Sequence, residues 1–257
     1  MLSGLNSRLA QAETASSPIQ HDEIEEIKGQ RQAEAHFVST LTQLGQLRPD
    51  QVKRSLRVDD SFKQSKRELG IVLMMDATIY VFVVKNWTGN YKPGPDGKYW
   101  LKRTEWDESI SVEQIKSPLV ELQEQITLMH NHLAKNGASV TKQQVDGRLV
   151  FPHAELVLDD EVKQNAHILA GADQINVFAR GLQTTWKENV LSAITPAYFS
   201  GALSYKQLAA SKSGLGRAGG WDKLKLAGGR VIEGDYKGLI IVLILSFTTY
   251  RMRVNCN

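Results

Sequence analysis

A chain of 257 residues, 42% of them hydrophobic, is long enough to bury the core of one large domain or of a medium domain with an appendage. This composition excludes collagen, coiled-coil rods and wholly disordered chains. The 31 Lys and Arg against 28 Asp and Glu leave a net charge of +3, which neither requires a nucleic-acid partner nor repels one. A single cysteine, Cys256, excludes an intrachain disulfide framework and a cysteine-rich zinc site.

The two ends of the chain differ in character from the rest. Residues 1–21 contain no apolar run and many small polar side chains, which is typical of a flexible tail and not of a secretory signal. The protein is therefore predicted to be intracellular, cytoplasmic or nuclear, and not secreted. The apolar run at 238–250 would extend only about 20 Å as a helix, against roughly 30 Å of hydrocarbon in a bilayer. A buried strand or core helix is predicted there, with a short membrane anchor as the alternative.

The first half of the chain combines one helical pattern with several extended segments. Apolar residues recur at intervals of three and four over 22–47, which predicts an amphipathic helix. Extended segments follow at 51–58, 68–75 and 78–87, and the last two are rich in Val, Ile, Tyr and Phe. They are close enough to pair as a hairpin around Asp76.

A second helix and further short strands complete the regular pattern. A short strand is predicted at 98–102, after a loop rich in Pro and Gly. Ser117 followed by Pro118 marks the start of a helix that continues to residue 135. Short strands are predicted at 149–151 and 155–158. This order predicts an α/β fold, with a mixed central sheet flanked by the two helices.

Beyond about residue 160 the pattern weakens. A helix is predicted around 186–194, and eight glycines between 211 and 238 predict loops and tight turns there. The organisation predicted is therefore a domain over 22–160 and a C-terminal extension over 161–257, with the Gly-rich segment at 211–238 and the apolar run after it.

The segment GIVLMMDATIYVFVVKNWTG, residues 70–89, carries the most specific signal. Together with GQRQAEAHFVSTL before it and SPLVELQEQITLMHNHL after it, it resembles the NERD (nuclease-related) domain of the PD-(D/E)xK phosphodiesterase superfamily. The run from Lys85 to Gly89 is the most specific part, and the resemblance covers about 30–158. It implies a restriction-endonuclease-like core in the order α-β-β-β-α-β and assigns the predicted domain at 22–160 to this family.

Phosphodiester hydrolysis of this kind requires one or two hard cations held by carboxylate oxygens, with a lysine close to the attacking water. Side chains alternate along a strand, so an acid two residues before the lysine lies on the same face. The family's Glu-x-Lys spacing follows from this geometry. A further acid comes from the preceding strand, and another often comes from the first helix.

The chain departs from the family at both strand-borne acids. The resemblance places Gly70 and Val83 at the two acidic positions, whereas Glu34 and Lys85 match the helix acid and the lysine. Gln123 lies near the family's helix glutamine, in a shifted register. The site is therefore interpreted as degenerate: a pseudoenzyme without a cofactor that acts as a binding or scaffolding module for nucleic acid or for an unidentified protein.

Two alternatives remain open from the sequence. The first is an active magnesium-dependent nuclease in which Glu34, Glu68 and Asp76 hold the metal and Lys85 handles the water. The second is a membrane-associated adaptor anchored by 238–250.

Glu34 and Lys85 also suggest a structural role. Glu34 lies on the apolar face of the predicted first helix, where an unpaired carboxylate is costly. A direct ion pair between Glu34 and Lys85 is therefore predicted.

A local excess of basic residues between 48 and 67 is the candidate nucleic-acid surface. The alternative is an ordinary solvated face. The candidate contacts are Lys53, Arg54, Arg57, Lys63, Lys66 and Arg67.

Overall fold

The computed structural model describes most of the chain between residues 25 and 234. The predicted tail at 1–21, the run at 238–250, Lys63 and Asp76 lie outside the described residues. The described ranges are 25–60, 65–75, 78–106, 109–192, 203–220, 222–225 and 231–234.

Eight strands follow one another between the first two helices of the described chain. The helices are α1 (Glu25–Leu44), α2 (Pro118–Lys135), α3 (Asp160–Lys163), α4 (Gly171–Ser192) and α5 (Tyr205–Gly216), and a 3-10 turn spans Lys142–Gln144. The first strands are β1 (Val52–Lys53), β2 (Leu56–Asp60), β3 (Ser65–Leu69), β4 (Ile71–Met74), β5 (Ile79–Val84) and β6 (Gly89–Pro93). The remaining strands are β7 (Tyr99–Trp106), β8 (Ser109–Lys116), β9 (Val145–Phe151), β10 (Leu156–Leu158), β11 (Ile168–Ala170), β12 (Asp222–Lys225) and β13 (Val231–Gly234).

The central sheet has five strands in the order β1-β4-β5-β9-β11. β1, β4 and β5 pair antiparallel, whereas β9 and β11 join parallel. In chain order its first elements are α1, β1, β4, β5, α2 and β9, with two hairpins inserted. The predicted α/β fold, with a mixed central sheet flanked by helices, is confirmed, and the α-β-β-β-α-β order is present.

Helices cover both faces of the central sheet because β5 is apolar on both sides. Phe82 and Val84 belong to the core that α1 and α4 share with the sheet. Ile79 and Val81 belong to the opposite core, shared with α2 and α5. A side chain at the end of β5 therefore faces either α1 or α2, according to whether its residue number is even or odd.

A second sheet, in the order β10-β6-β7-β8, is built mainly from the segment between β5 and α2. Its inner face contributes Trp100 and Tyr91 to a core that also contains Phe151. The structure replaces the single short strand predicted at 98–102 by a long hairpin, β7 with β8. The sequence signal was weak because β8 is exposed along almost its whole length and buries neither of its faces.

The extended segment predicted at 51–58 is two strands. Ser55 has a φ of 53°, in the left-handed region, and this turn separates β1 from β2. β1 then pairs with β4 in the central sheet, while β2 forms a separate hairpin with β3. Each half therefore joins a different sheet.

The Gly-rich segment is more regular than predicted. Instead of loops alone, α5 spans Tyr205–Gly216, and β12 and β13 pair after it. Ser204 caps α5, with Gln207 completing a capping box, and this start signal outweighs the glycines at the end of the helix. The helix predicted at 186–194 begins earlier, since α4 starts at Gly171.

The core continues across residue 160. Ala179 and Leu182 of α4 are buried against α1, and Leu203 and Leu215 are buried against α2. Both faces of the central sheet therefore depend on elements from the C-terminal part of the chain.

We expect Leu215→Ala to lower the free energy of unfolding by about 2 to 5 kcal/mol, because it removes a fully buried side chain that contacts the α2 core. Urea unfolding followed by circular dichroism measures the change. Tyr205→Ala is the matched control, because Tyr205 lies on the same helix and is exposed. Equal, small effects in both variants would contradict the packing of α5 against the domain.

Candidate functional site

The candidate site lies where β5 ends beside the first turn of α2. The backbone N–H of Lys85 donates to Val150 O at 2.8 Å, which holds this residue at the end of the strand ladder. Strand alternation directs the Lys85 side chain toward α2. Its Nζ lies 2.8 Å from Glu121 Oε2, and both side chains are about three-quarters buried.

Val83 lies two residues before Lys85, on the same side of β5. Its side chain is only 3% exposed and packs in the apolar core that also contains Leu122 and Leu149. A carboxylate at this position would be surrounded by hydrocarbon, which is unfavourable unless a charge or a metal compensates it.

Gly70 is the single residue between β3 and β4, and its backbone lies against β5. A Cβ at this position would lie 2.1 Å from Phe82 O and 3.1 Å from Gln125 Oε1. The Gly70 N–H donates to Gln125 Oε1 at 2.7 Å, and Gln125 is buried. The space that an aspartate would need is therefore taken by backbone and by the Gln125 side chain.

Glu34 lies on the other side of the central sheet. Gln30 Nε2 donates to Glu34 Oε1 at 2.7 Å and to Val84 O at 2.8 Å, and Gln30 Oε1 accepts from the Asn86 N–H at 3.1 Å. Gln30 thus fastens α1 to the end of β5. The predicted ion pair between Glu34 and Lys85 is wrong, because α1 covers the Phe82 side of β5 while Lys85 points toward α2 and pairs with Glu121.

Two of the acids proposed for a relocated metal site, Glu34 and Glu68, lie on different elements, α1 and β3. Glu68 is exposed on β3, paired in register with Arg57 of β2, while Glu34 is bonded to Gln30 on α1. Asp76 lies outside the described residues. Within the described ranges, no three His, Cys, Asp or Glu side chains lie close enough to hold a metal ion. Gly70 and Val83, which the resemblance places at the family's acidic positions, have no side-chain oxygen that could bind one.

Sequence reasoning missed three residues that bond directly to the predicted site residues. They are Gln30, which bonds Glu34, Glu121, which pairs with Lys85, and Gln125, which bonds Gly70. Gln125 lies on the buried face of α2 together with Leu122 and Met129. A glutamine within an apolar helical stripe is a signal that could have identified it, since a buried amide requires a partner. Gln123, which the resemblance places near the family's helix glutamine in a shifted register, is exposed.

Two of the candidate nucleic-acid contacts have structural roles. Arg57 is buried and its guanidinium donates to Lys66 O at 3.0 Å. Arg67 pairs with Asp60 at 3.4 Å and with Glu124 at 2.9 Å. These two arginines hold the β2–β3 hairpin together and against α2.

The other members of the basic set differ in exposure. Arg54 and Lys66 are exposed, and Lys53 is half-buried. Lys63 lies outside the described residues. Arg54, Lys66 and Lys53 are therefore the described candidates that remain besides the two arginines that hold the hairpin.

Glu124 connects three elements next to the site. Its carboxylate lies 2.8 Å from Lys116 of β8 and 2.9 Å from Arg67 of β3. The hydrogen bond from Lys116, assisted by the Arg67 guanidinium, lowers the pKa of Glu124 although partial burial opposes the shift. The carboxylate therefore stays charged and joins the β2–β3 and β7–β8 hairpins to α2.

Comparison with known families assigns a large part of the chain. Residues 29–152 match the family model described as nuclease-related domain, NERD. No curated protein and no solved structure gave a match. No helix in the described ranges has both the length and the apolar character needed to cross a membrane.

We expect Gly70→Ala to lower the free energy of unfolding by roughly 3 kcal/mol or more, because the new Cβ would push against the Phe82 carbonyl and disturb the Gln125 bond. The measurement is urea unfolding. Gly181→Ala in α4 is the control: apart from its chain neighbours and its own helix backbone, nothing lies within 4 Å of its Cβ position, so alanine there should be neutral or mildly stabilising. A Gly70→Ala protein as stable as the unmodified chain would show that β4 and β5 can separate.

Proposed function

We propose that this domain, whose residues 29–152 match the nuclease-related domain family model, binds nucleic acid without cleaving it. The observation that carries the proposal is the close approach at Gly70, where the Phe82 carbonyl lies 2.1 Å from the position a Cβ would take. A metal-binding acid cannot be placed there unless the two strands separate. The second acidic position is filled by the buried Val83.

The environment of Lys85 supports the same proposal. In a metal-dependent nuclease this lysine must act on a water molecule beside the metal. Here its ammonium is 2.8 Å from Glu121, in an ion pair that is largely shielded from solvent. Breaking a pair of this kind leaves one charge poorly solvated, so Lys85 is better suited to joining β5 to α2 than to activating water. We accordingly propose no metal cofactor for this domain.

The proposed contacts with nucleic acid are the accessible members of the basic set, Lys53, Arg54 and Lys66. Cations of this kind bind phosphates without reading sequence, and their binding weakens as the salt concentration rises. We propose accordingly that the protein acts inside the cell where nucleic acid is present, in the cytoplasm or nucleus. A protein partner on the same surface is the competing outcome.

We expect the purified protein to show no cleavage of DNA or RNA with Mg²⁺ or Mn²⁺, because carboxylate ligands are missing at two positions. Gel assays on linear DNA and on RNA test this, with a known nuclease run in parallel. Metal-dependent cleavage that Lys85→Ala abolishes and Lys92→Ala preserves would refute the proposal. Lys92 is the matched control because it is an exposed lysine on β6.

Binding is tested separately by fluorescence anisotropy with labelled duplex DNA over a series of salt concentrations. The triple variant Lys53→Ala, Arg54→Ala and Lys66→Ala should bind more weakly. The slope of the logarithm of its binding constant against the logarithm of the salt concentration should be smaller in magnitude by roughly 0.9 for each phosphate that the variant no longer neutralises.

A charge-matched control separates local binding from the effect of net charge. The control variant carries alanine at three exposed lysines outside the basic stretch, Lys28, Lys142 and Lys163, and should bind as the unmodified chain does. An equal decrease in affinity in both variants would contradict a localised surface. No binding by the unmodified chain would contradict the nucleic-acid proposal and favour the protein partner.

A further inference from the structure

β8 differs from the other edge strands of the two larger sheets. The central sheet ends at β1 and β11, with two and three residues, and the second sheet ends at β10, with three residues, and at β8, with eight. A short edge offers little backbone for pairing with another chain, whereas a long edge offers a row of donors and acceptors. In the described structure β8 is the only long edge of these sheets.

The sequence of β8, SISVEQIK, contains little that would prevent pairing. It has no proline, and its only charged residues are Glu113 and the terminal Lys116. Every residue except Ile115 is exposed, and the exposed side chains include Ile110 at 60% and Val112 at 58%. Natural proteins usually protect such an edge with charge, proline or a bulge, so an unprotected one indicates an interaction surface.

Charged residues of β7 lie beside two positions of this edge. In the β7–β8 register, Val112 lies opposite Arg103 and Glu113 lies opposite Lys102. Strand alternation puts Ile110 and Val112 on one face, so the two exposed apolar residues lie next to each other along this face. An antiparallel partner with the same sequence would present the same residues in the reverse order.

We propose that β8 pairs antiparallel with β8 of a second copy of this chain, about a two-fold axis at Ser111. In this register Ile110 faces Val112 of the partner subunit, and Ser109 faces Glu113 of the partner subunit. The two exposed apolar residues of each copy then cover each other, as favourable cross-strand pairs do. The interface is isologous and closes on itself as a dimer.

Charge also favours a second copy as the occupant. Of the five positions that pair, 109–113, only Glu113 is charged, and it faces Ser109 of the partner subunit. No like charges are therefore opposed in this register.

Neighbouring two-fold registers are poorer. An axis at Glu113 would place two glutamates directly opposite each other, which is destabilising. An axis at Val112 would leave Ile110 facing Gln114 of the partner subunit and separate the apolar pairs. The sequence of β8 therefore favours the axis at Ser111.

The test is the oligomeric state of the full chain, measured by analytical ultracentrifugation over a concentration series. The unmodified chain should dimerise, and Val112→Lys should sediment as a monomer because it places charge in the apolar pair. Val177→Lys is the matched control, since Val177 is a valine on α4 that is 71% exposed, and it should dimerise normally. A monomeric unmodified chain, a dimeric Val112→Lys variant, or a monomeric control would overturn the proposal.

Cross-linking tests the register without relying on destabilisation. In a Cys256→Ser background, Ser111→Cys should form an intermolecular disulfide, because residues directly opposite in an antiparallel pair have Cα atoms roughly 4.5 to 5.5 Å apart. Glu113→Cys is the control: residue 113 and its copy would lie about 14 Å apart along the strands and should not cross-link. Cross-linking through residue 113 in preference to residue 111 would overturn the register.

Discussion

The close approach of Gly70 to the Phe82 carbonyl is the constraint on which the centre of this structure depends. It lets β4 begin directly after β3 and still lie against β5, because no side chain stands between the two backbones. The Gly70 N–H then bonds the buried Gln125, which attaches α2 to the same point. One residue without a side chain therefore sets the spacing of two strands and the position of a helix.

The two faces of β5 are held by different polar contacts, which include Lys85 and Glu34, the two residues that match the family's site by resemblance. On the α2 side Lys85 pairs with Glu121. On the α1 side Gln30 bonds both Glu34 and the end of the strand. Each contact satisfies groups that burial would otherwise penalise, so the remaining polar residues of the site contribute to stability. Lys85 and Glu34, which match the family's site by resemblance, are thus both used in packing contacts.

The sequence predicted the buried elements better than the exposed ones. The helix predicted at 22–47 is α1, and the strand at the centre of the sheet is β5, because both bury regular apolar patterns. The β7–β8 hairpin was largely missed because an exposed strand has no buried face to mark its period. α5 was missed because Gly and Ser lower helix propensity, although Ser204 and Gln207 carried a start signal. The spacing of apolar residues therefore predicts a helix or strand best where one face of that element is buried.

The candidate site could be predicted only in part, for a related reason. The two missing acids are visible from the resemblance, since Gly70 and Val83 carry no oxygen in their side chains. The side chain that contacts Gly70 cannot be predicted from the sequence, because Gln125 lies 55 residues away in the chain and only the folded structure brings the two together.

The contact at Gly70 determines whether the acid could be restored. A missing acid can be restored by one substitution where the site has room for the side chain. At Gly70 that room is taken by the Phe82 carbonyl and the Gln125 side chain. An aspartate there would have to displace the Phe82 carbonyl and the Gln125 amide, and so disturb the strand pair that would support the metal. The packing of β4, β5 and α2 at Gly70 therefore leaves no room for a side chain.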